Sequence, residues 1–197
     1  FDSIDGQVFS YRGASYAIPL LGEHQLQNAA TVLEAISVLR KQGWDIDDEA
    51  VESGLYSVAW PARFEVLHTD DPWFVLDGGH NPQCAAALRE CLEHYFPDSK
   101  RVALVGVLKD KDYKSIAATL APLFDACVCV TPPSERALPA EELAEPFKGS
   151  CREVCVADTV EDGVDLARDI AQERDAMVCA FGSLYICGQI RSCFGLR

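Results

Sequence analysis

From Arg63 onward the chain alternates short apolar runs with amphipathic stretches. Phe74 to Leu76, Val102 to Leu108, Ala126 to Val130, Val154 to Ala157 and Met177 to Phe181 are apolar throughout or nearly so, the pattern of strands covered on both faces. Phe64 to Leu67 is a further candidate strand. Between these runs Cys84, Ala87, Leu88, Cys91, Leu92, Tyr95 and Phe96 recur at helical spacing, and Thr159-Val160-Glu161-Asp162 reads as a capping box ahead of Val164, Ala167 and Ile170. Strands alternating with helices build βαβ units, so the expected fold class is α/β with a doubly wound, mainly parallel sheet. The Pro-rich stretch Thr131 to Pro139 reads as a loop.

The first sixty or so residues follow a different pattern. Gln7 to Arg12 and Ser15 to Leu20 are short β-prone runs around Gly13-Ala14, which predicts a hairpin. A helix carrying Leu26, Ala29, Leu33 and Ile36 follows and ends near Gly43; a second, acidic helix is expected from about Asp47 to Gly54. A hairpin and two helices bury little apolar surface by themselves. Residues 1–59 are therefore expected to be the partial end of one domain and 60–197 a second domain, with Trp60-Pro61 at the crossing. A chain that opens on Phe1 and not on Met fits a fragment boundary.

Composition narrows the function classes. Hydrophobic residues at 49% and charged residues at 24% of 197 exclude disorder and low complexity. Seventeen Lys and Arg against thirty-one Asp and Glu give a formal charge of -14, the wrong sign for a nucleic-acid partner. No apolar stretch approaches the roughly 18 residues that span a bilayer, so no membrane partner and a cytoplasmic location are expected. The nine Cys are odd in number and mostly sit inside apolar patterns, which predicts reduced, buried thiols. Cys127-Val128-Cys129 and the Cys151 to Cys155 spacing lack the paired CxxC and His partners of a zinc site, so no metal is expected on this chain.

In an open α/β sheet the turns after the strands hold the ligands. Asp77-Gly78-Gly79-His80-Asn81-Pro82 packs an acid, two Gly, a His and an Asn-Pro helix start into one such turn. Asp77 can accept hydrogen bonds from ribose-like hydroxyls and His80 can donate to a carboxylate; the plainer alternative is an Asp-capped turn with a surface His. Gly182-Ser183 opens another helix, where Ser183 is either a simple N-cap or part of an anion site. Arg63, next to a stiff Pro at the crossing, offers a planar fork to phosphate or an ion pair to Glu65. His24 and Asn28 are four apart on one helix face, and the Asn28 amide can pair with the edge of adenine or merely solvate the helix. Lys109 and Lys111 in Val105 to Asp112 fit either an anion contact or a solvated turn. No G-x-x-x-x-G-K-[ST] or G-x-G-x-x-G loop is present, so the chain is not expected to be a complete nucleotide-driven enzyme.

In chain order, H-Q-L-Q-N-A, W-P-A-R-F-E, D-G-G-H-N-P, G-V-L-K-D-K-D and F-G-S-L-Y resemble the folylpolyglutamate synthase family, including its bifunctional dihydrofolate synthase form, within the wider Mur ligase group. The likeness runs over the end of the central ATP-binding domain and all of the Rossmann-like C-terminal domain. Ala62 stands where Gly is common in that family and Gly79 where Ala is common. The resemblance implies ATP-dependent addition of L-glutamate to reduced folate through an acyl phosphate. By matched position, Asn28 would contact adenine, Arg63 the ATP phosphates and Asp77 the ribose. His80 and Ser183 would hold the incoming glutamate, with Arg63 and His80 serving catalysis and Lys111 a weaker candidate in the same crevice. Mg2+ and the phosphate loop would belong to an N-terminal ATPase part in cis, so this chain alone would be inactive. The alternatives are another Mur-type amino-acid ligase, or a stand-alone α/β ligand-binding module.

Overall fold

The computed structural model describes residues 2–68, 70 and 72–196. Phe1, read above as a fragment boundary, lies outside the described residues. The chain divides into two compact units, one ending at Pro61 and the other beginning at Ala62.

In the first unit β1 (Asp2–Ser3), β2 (Gly6–Tyr11) and β3 (Ala14–Ile18) form an antiparallel sheet in chain order. Tyr11 pairs with Ala14, so the hairpin turn is Arg12-Gly13, one residue earlier than the sequence suggested. Both turn residues have positive φ (48° and 86°), the backbone that matches the twist of paired strands. Helix α1 (Glu23–Lys41) starts after Gly22, and the buried Gln7 amide fixes that entry by donating to the Leu20 and Gly22 carbonyls at 2.7 and 3.2 Å. Helix α2 (Asp48–Tyr56) is capped by Asp47, whose carboxylate accepts from the Ala50 N–H at 2.7 Å. Gly54 lies inside α2 and does not end it, because without a Pro or a left-handed turn one Gly only weakens a helix. Ile18, Ala29, Leu33, Val51 and Leu55 make the small core.

The second unit runs β4 (Glu65–His68), β5 (Phe74–Leu76), α3 (Pro82–Tyr95), β6 (Lys100–Val105), α4 (Tyr113–Leu120), β7 (Ala126–Cys129), α5 (Ala140–Ala144), β8 (Glu153–Val156), α6 (Val160–Arg174), β9 (Ala176–Phe181) and α7 (Leu184–Cys193). Sheet order is β4-β5-β9-β6-β7-β8; β4 is antiparallel to β5 and every other pair is parallel. The expected α/β class is thus the observed one. Strand β6 stops at Val105, short of Leu108: Gly106 still donates to Phe181 O, but Leu108 turns away to bridge Ala137. Helices α4 and α5 had no reading in the sequence pattern. Thr159 caps α6 as expected, accepting from the Asp162 N–H at 3.0 Å while its own hydroxyl donates to the Asp162 carboxylate at 2.7 Å.

Alternate residues of the strands, among them Phe74, Leu76, Val102, Leu104, Val128, Val178 and Ala180, pack against Val164, Ala167 and Ile170 of α6 and Ile186 and Ile190 of α7. Helix α3 packs on α4, away from that face. The nine Cys carry free thiols, six of them buried. Burial pushes the Cys127 and Cys179 thiols well above their ordinary range, so they behave as small apolar side chains.

The sheet order positions the site. Adjacent parallel strands β5 and β9 send the chain into α3 on one face and α7 on the other. The carboxyl ends of such strands are where an open α/β sheet of this kind binds its ligands.

Candidate functional site at the carboxyl ends of the strands

The turn after β5 is built around one carboxylate. Asp77 Oδ1 accepts from the Gly79 N–H at 2.7 Å and Oδ2 from the Phe64 N–H at 2.9 Å. Asp77 therefore first holds the loop. Each carboxylate oxygen has a second lone pair, so a ligand hydroxyl can still be accepted. Position 79 is tight: a Cβ there would come within 2.6 Å of Asp77 Oδ1 and 2.8 Å of the Cys84 Cβ. Asn81 then caps α3 by accepting from the Cys84 N–H at 2.8 Å, with Pro82 at the first helical position.

His80 sits half-buried with Nδ1 3.0 Å from the Gly78 carbonyl. A carbonyl only accepts, so Nδ1 carries the hydrogen and Nε2 is the free valence. A neutral His80 presents Nε2 as an acceptor; holding a carboxylate through it requires the imidazolium.

The turn after β9 lies against the first. Gly182 donates to the Gly79 carbonyl at 3.1 Å. Its φ of 109° and a would-be Cβ 2.7 Å from Gly106 O make glycine necessary at this crossing of two backbones. Ser183 is 2% exposed and its Oγ accepts from the Tyr185 N–H at 3.2 Å, so it is the N-cap the sequence indicated. Leu184 and Tyr185 beyond it are exposed.

Arg63 reaches this region on a shaped backbone. It is flanked by Ala62 (φ 57°) and Phe64 (φ 45°), both buried and both in the left-handed region that side chains usually avoid. The Phe64 ring is wedged against Tyr95 and Phe96, with centroids 5.8 and 6.4 Å away. The positive φ at Ala62 is a backbone that glycine would adopt without strain. Burial pushes the Cys187 thiol up to about 12; the Asp77 and Glu65 carboxylates push the same way and the Arg63 guanidinium opposes them. Arg63 is the direct neighbour of Phe64, whose N–H the Asp77 carboxylate holds.

Three further sequence candidates are on other elements. Asn28 is on α1 in the first unit, exposed, and spends one amide N–H on Gln25 Oε1 at 3.0 Å. Lys111 Nζ is 3.5 Å from the Asp110 carboxylate, which Arg136 also binds at 2.7 Å, as a charged surface turn would have it. Lys109 is exposed. Glu65, read in the sequence as a possible partner of Arg63, forms an ion pair with Arg191, which the sequence reading did not single out. Among the described residues, no three His, Cys, Asp or Glu side chains are grouped to hold a metal ion. Nor is any helix among them long and apolar enough to cross a membrane.

The chain is 34% identical, over 98% of its length, to the dihydrofolate synthase/folylpolyglutamate synthase of Mycobacterium tuberculosis, of which it covers 44%. It is 37% identical, over 89% of its length, to a probable bifunctional folylpolyglutamate synthase/dihydropteroate synthase of Halobacterium salinarum, of which it covers 21%. Among solved structures, a Mycobacterium tuberculosis folylpolyglutamate synthase complexed with ADP and AMPPCP superposes with a TM-score of 0.89 at 31% identity, over 99% of this chain and 46% of that one. The chain thus spans less than half the length of these relatives. Residues 62–184 match the family described as the Mur ligase, glutamate ligase domain, and the chain belongs to that family.

Proposed function

We propose that this chain supplies the glutamate-binding domain and part of the nucleotide site of an ATP-dependent ligase that extends reduced folate with L-glutamate. The observation that carries the reading is the joining of Asp77, His80 and Ser183 by two interlocked turns, with Arg63 held alongside, in a chain of the glutamate ligase family. Residues 1–59 belong in this reading to the end of the central domain and 60–197 to the C-terminal domain. Asn28 meets adenine, Asp77 the ribose, and Arg63 the phosphates, where its planar fork neutralises charge that develops in phosphoryl transfer. Ser183, at the positive end of α7, and His80 hold the incoming glutamate. The setting is the cytoplasm.

In the reaction, a carboxylate oxygen of the folate's glutamyl end takes the γ-phosphoryl group of ATP and ADP leaves. The free amine of L-glutamate then attacks the acyl carbon, the C–O bond to phosphate breaks, and an amide and inorganic phosphate result, with the amine proton passing to a base or solvent. Mg2+ and the loop that cradles the phosphates belong in this reading to an N-terminal ATPase part in cis, since this sequence contains no G-x-x-x-x-G-K-[ST] loop. The 197-residue chain by itself is accordingly expected to be inactive.

The test is product analysis. The complete polypeptide, given ATP, a reduced folate and L-glutamate, should release ADP and phosphate in step with a glutamylated folate, and the isolated chain should not. Turnover only with a peptidoglycan-type acceptor would move the assignment to another Mur-type ligase. Ligand binding without any turnover by the complete polypeptide would make it a binding module.

A further inference from the structure

The backbone around Arg63 is held from three directions, and one of them begins on the last helix. Glu65 Oε2 accepts from the Ala62 N–H at 2.8 Å, while its other oxygen, Oε1, is paired with the Arg191 guanidinium. The Gly78 N–H donates to the Ala62 carbonyl at 2.8 Å, and Asp77 Oδ2 accepts from the Phe64 N–H. Both neighbours of Arg63 thus have their backbone groups tied, and both need it, since each sits at a positive φ without being glycine. The Glu65–Arg191 pair is largely sheltered, with the two side chains 23% and 14% exposed, so it is screened far less than a surface pair.

We infer that Glu65 and Arg191 are positioning residues for Arg63: the ion pair orients the Glu65 carboxylate so that it locks the Ala62 N–H, and through it the direction in which the Arg63 guanidinium is presented. The inference rests on the reading of Arg63 as the phosphate-binding group. The two oxygens of Glu65 have separate tasks, one on Ala62 and one on Arg191. Glutamine has the same shape but one oxygen, so Glu65→Gln must abandon one of the two contacts. Arg191→Lys keeps the charge and loses the fork, and should lie between wild type and Glu65→Gln.

The experiment is a double-mutant cycle in the complete polypeptide with Arg63→Ala, Glu65→Gln and both together, reading kcat and KM for ATP and for glutamate. Displacing a binding group by about 1 Å can cost on the order of 100-fold, so Glu65→Gln should lower kcat/KM for ATP by 10- to 100-fold, as a rough range, and leave KM for glutamate unchanged. Added to Arg63→Ala it should cost nothing more. Full multiplication of the two losses, or wild-type kinetics in Glu65→Gln, would overturn the inference. Amide exchange is the second readout: Glu65→Gln should speed exchange at Ala62 and spare Gly79, whose N–H is held by Asp77. Unchanged exchange at Ala62 would overturn the clamp even if the variant were slow. A wild-type polypeptide without ATP- and glutamate-dependent turnover would instead sink the functional reading, and the exchange at Ala62 would still decide whether the clamp exists.

Discussion

The two units differ in how much apolar surface they enclose within this chain, the first being read as only the end of a domain. In the second, strands β6, β7 and β9 are closed on both faces, and Phe74, Leu104 and Ile186 are fully buried or within 1% of it. In the first, one three-stranded sheet and two helices enclose a core of five residues, while Trp44 and Trp60 remain 63% and 60% exposed. The difference teaches where rigidity is available. The proposed phosphate, ribose and glutamate contacts Arg63, Asp77 and Ser183 are all on the unit whose sheet is buried. The proposed adenine contact, Asn28, is an exposed residue on a helix of the first unit.

The strongest way to break this contrast is in the cores. Phe181→Ala, which removes a buried ring stacked on Phe124 at 5.7 Å, should destabilise the second unit by about 3–5 kcal/mol. Leu33→Ala in the shallower core of the first should fall near the lower end of about 2–5 kcal/mol. Urea unfolding of both variants gives the order, and equal losses would show that the first core is as tightly packed as the second. Next comes the backbone crossing: Gly182→Ala, which drives a Cβ toward Gly106 O, should cost about 1–3 kcal/mol in the same titration.

Alkaline pH should also distinguish the units, because all nine Cys lie in the second. Burial raises Cys151 to about 11 and Cys187 to about 12 from an ordinary value of 9.0, so the folded state keeps protons that the unfolded chain releases. Stability from these groups is complete below pH 9 and is lost as pH climbs toward 11–12. Denaturation midpoints of the second unit should therefore fall over that window, and a Cys187→Ala variant should lose less. The smallest effect is a gain. Gly54 is in mid-helix with open space around its Cα, so Gly54→Ala should stabilise the first unit by about 1 kcal/mol, read as a shift in its midpoint.

What the sequence disclosed follows the range of the forces involved. Continuous apolar runs located β5, β7 and β9 because burial on both faces is written locally, and a similar run located β8 although that edge strand is only partly covered. The end of β6 was missed, since Val107 and Leu108 are as apolar as the strand but pack against the 131–139 loop. The short α5, with five residues in the shadow of a Pro-rich stretch, has too few turns for a periodic signal. Asp77, His80 and Ser183 were legible as turn chemistry. Their contacts were not: Asp77 reaching the Phe64 N–H follows from the antiparallel pairing of β4 with β5, and Arg191 reaching Glu65 across 126 positions depends on the sheet order that slots β9 between β5 and β6. The positive φ values of Ala62 and Phe64 leave no trace in residue type at all.

The most direct measurement compares one residue from each unit in the complete polypeptide: kcat/KM for ATP in Arg63→Ala and in Asn28→Ala. Loss of a guanidinium from a phosphoryl-transfer site removes about 2–4 kcal/mol of transition-state stabilisation, a fall of roughly 30- to 1,000-fold. Loss of one neutral amide contact should cost about 0.5–1.5 kcal/mol, or roughly 2- to 13-fold. A fall of the first size for Arg63→Ala with a small one for Asn28→Ala is the predicted result. An Arg63→Ala enzyme that retains wild-type kcat/KM would contradict the account, because the most carefully held backbone in the molecule would then present a group that does no chemistry.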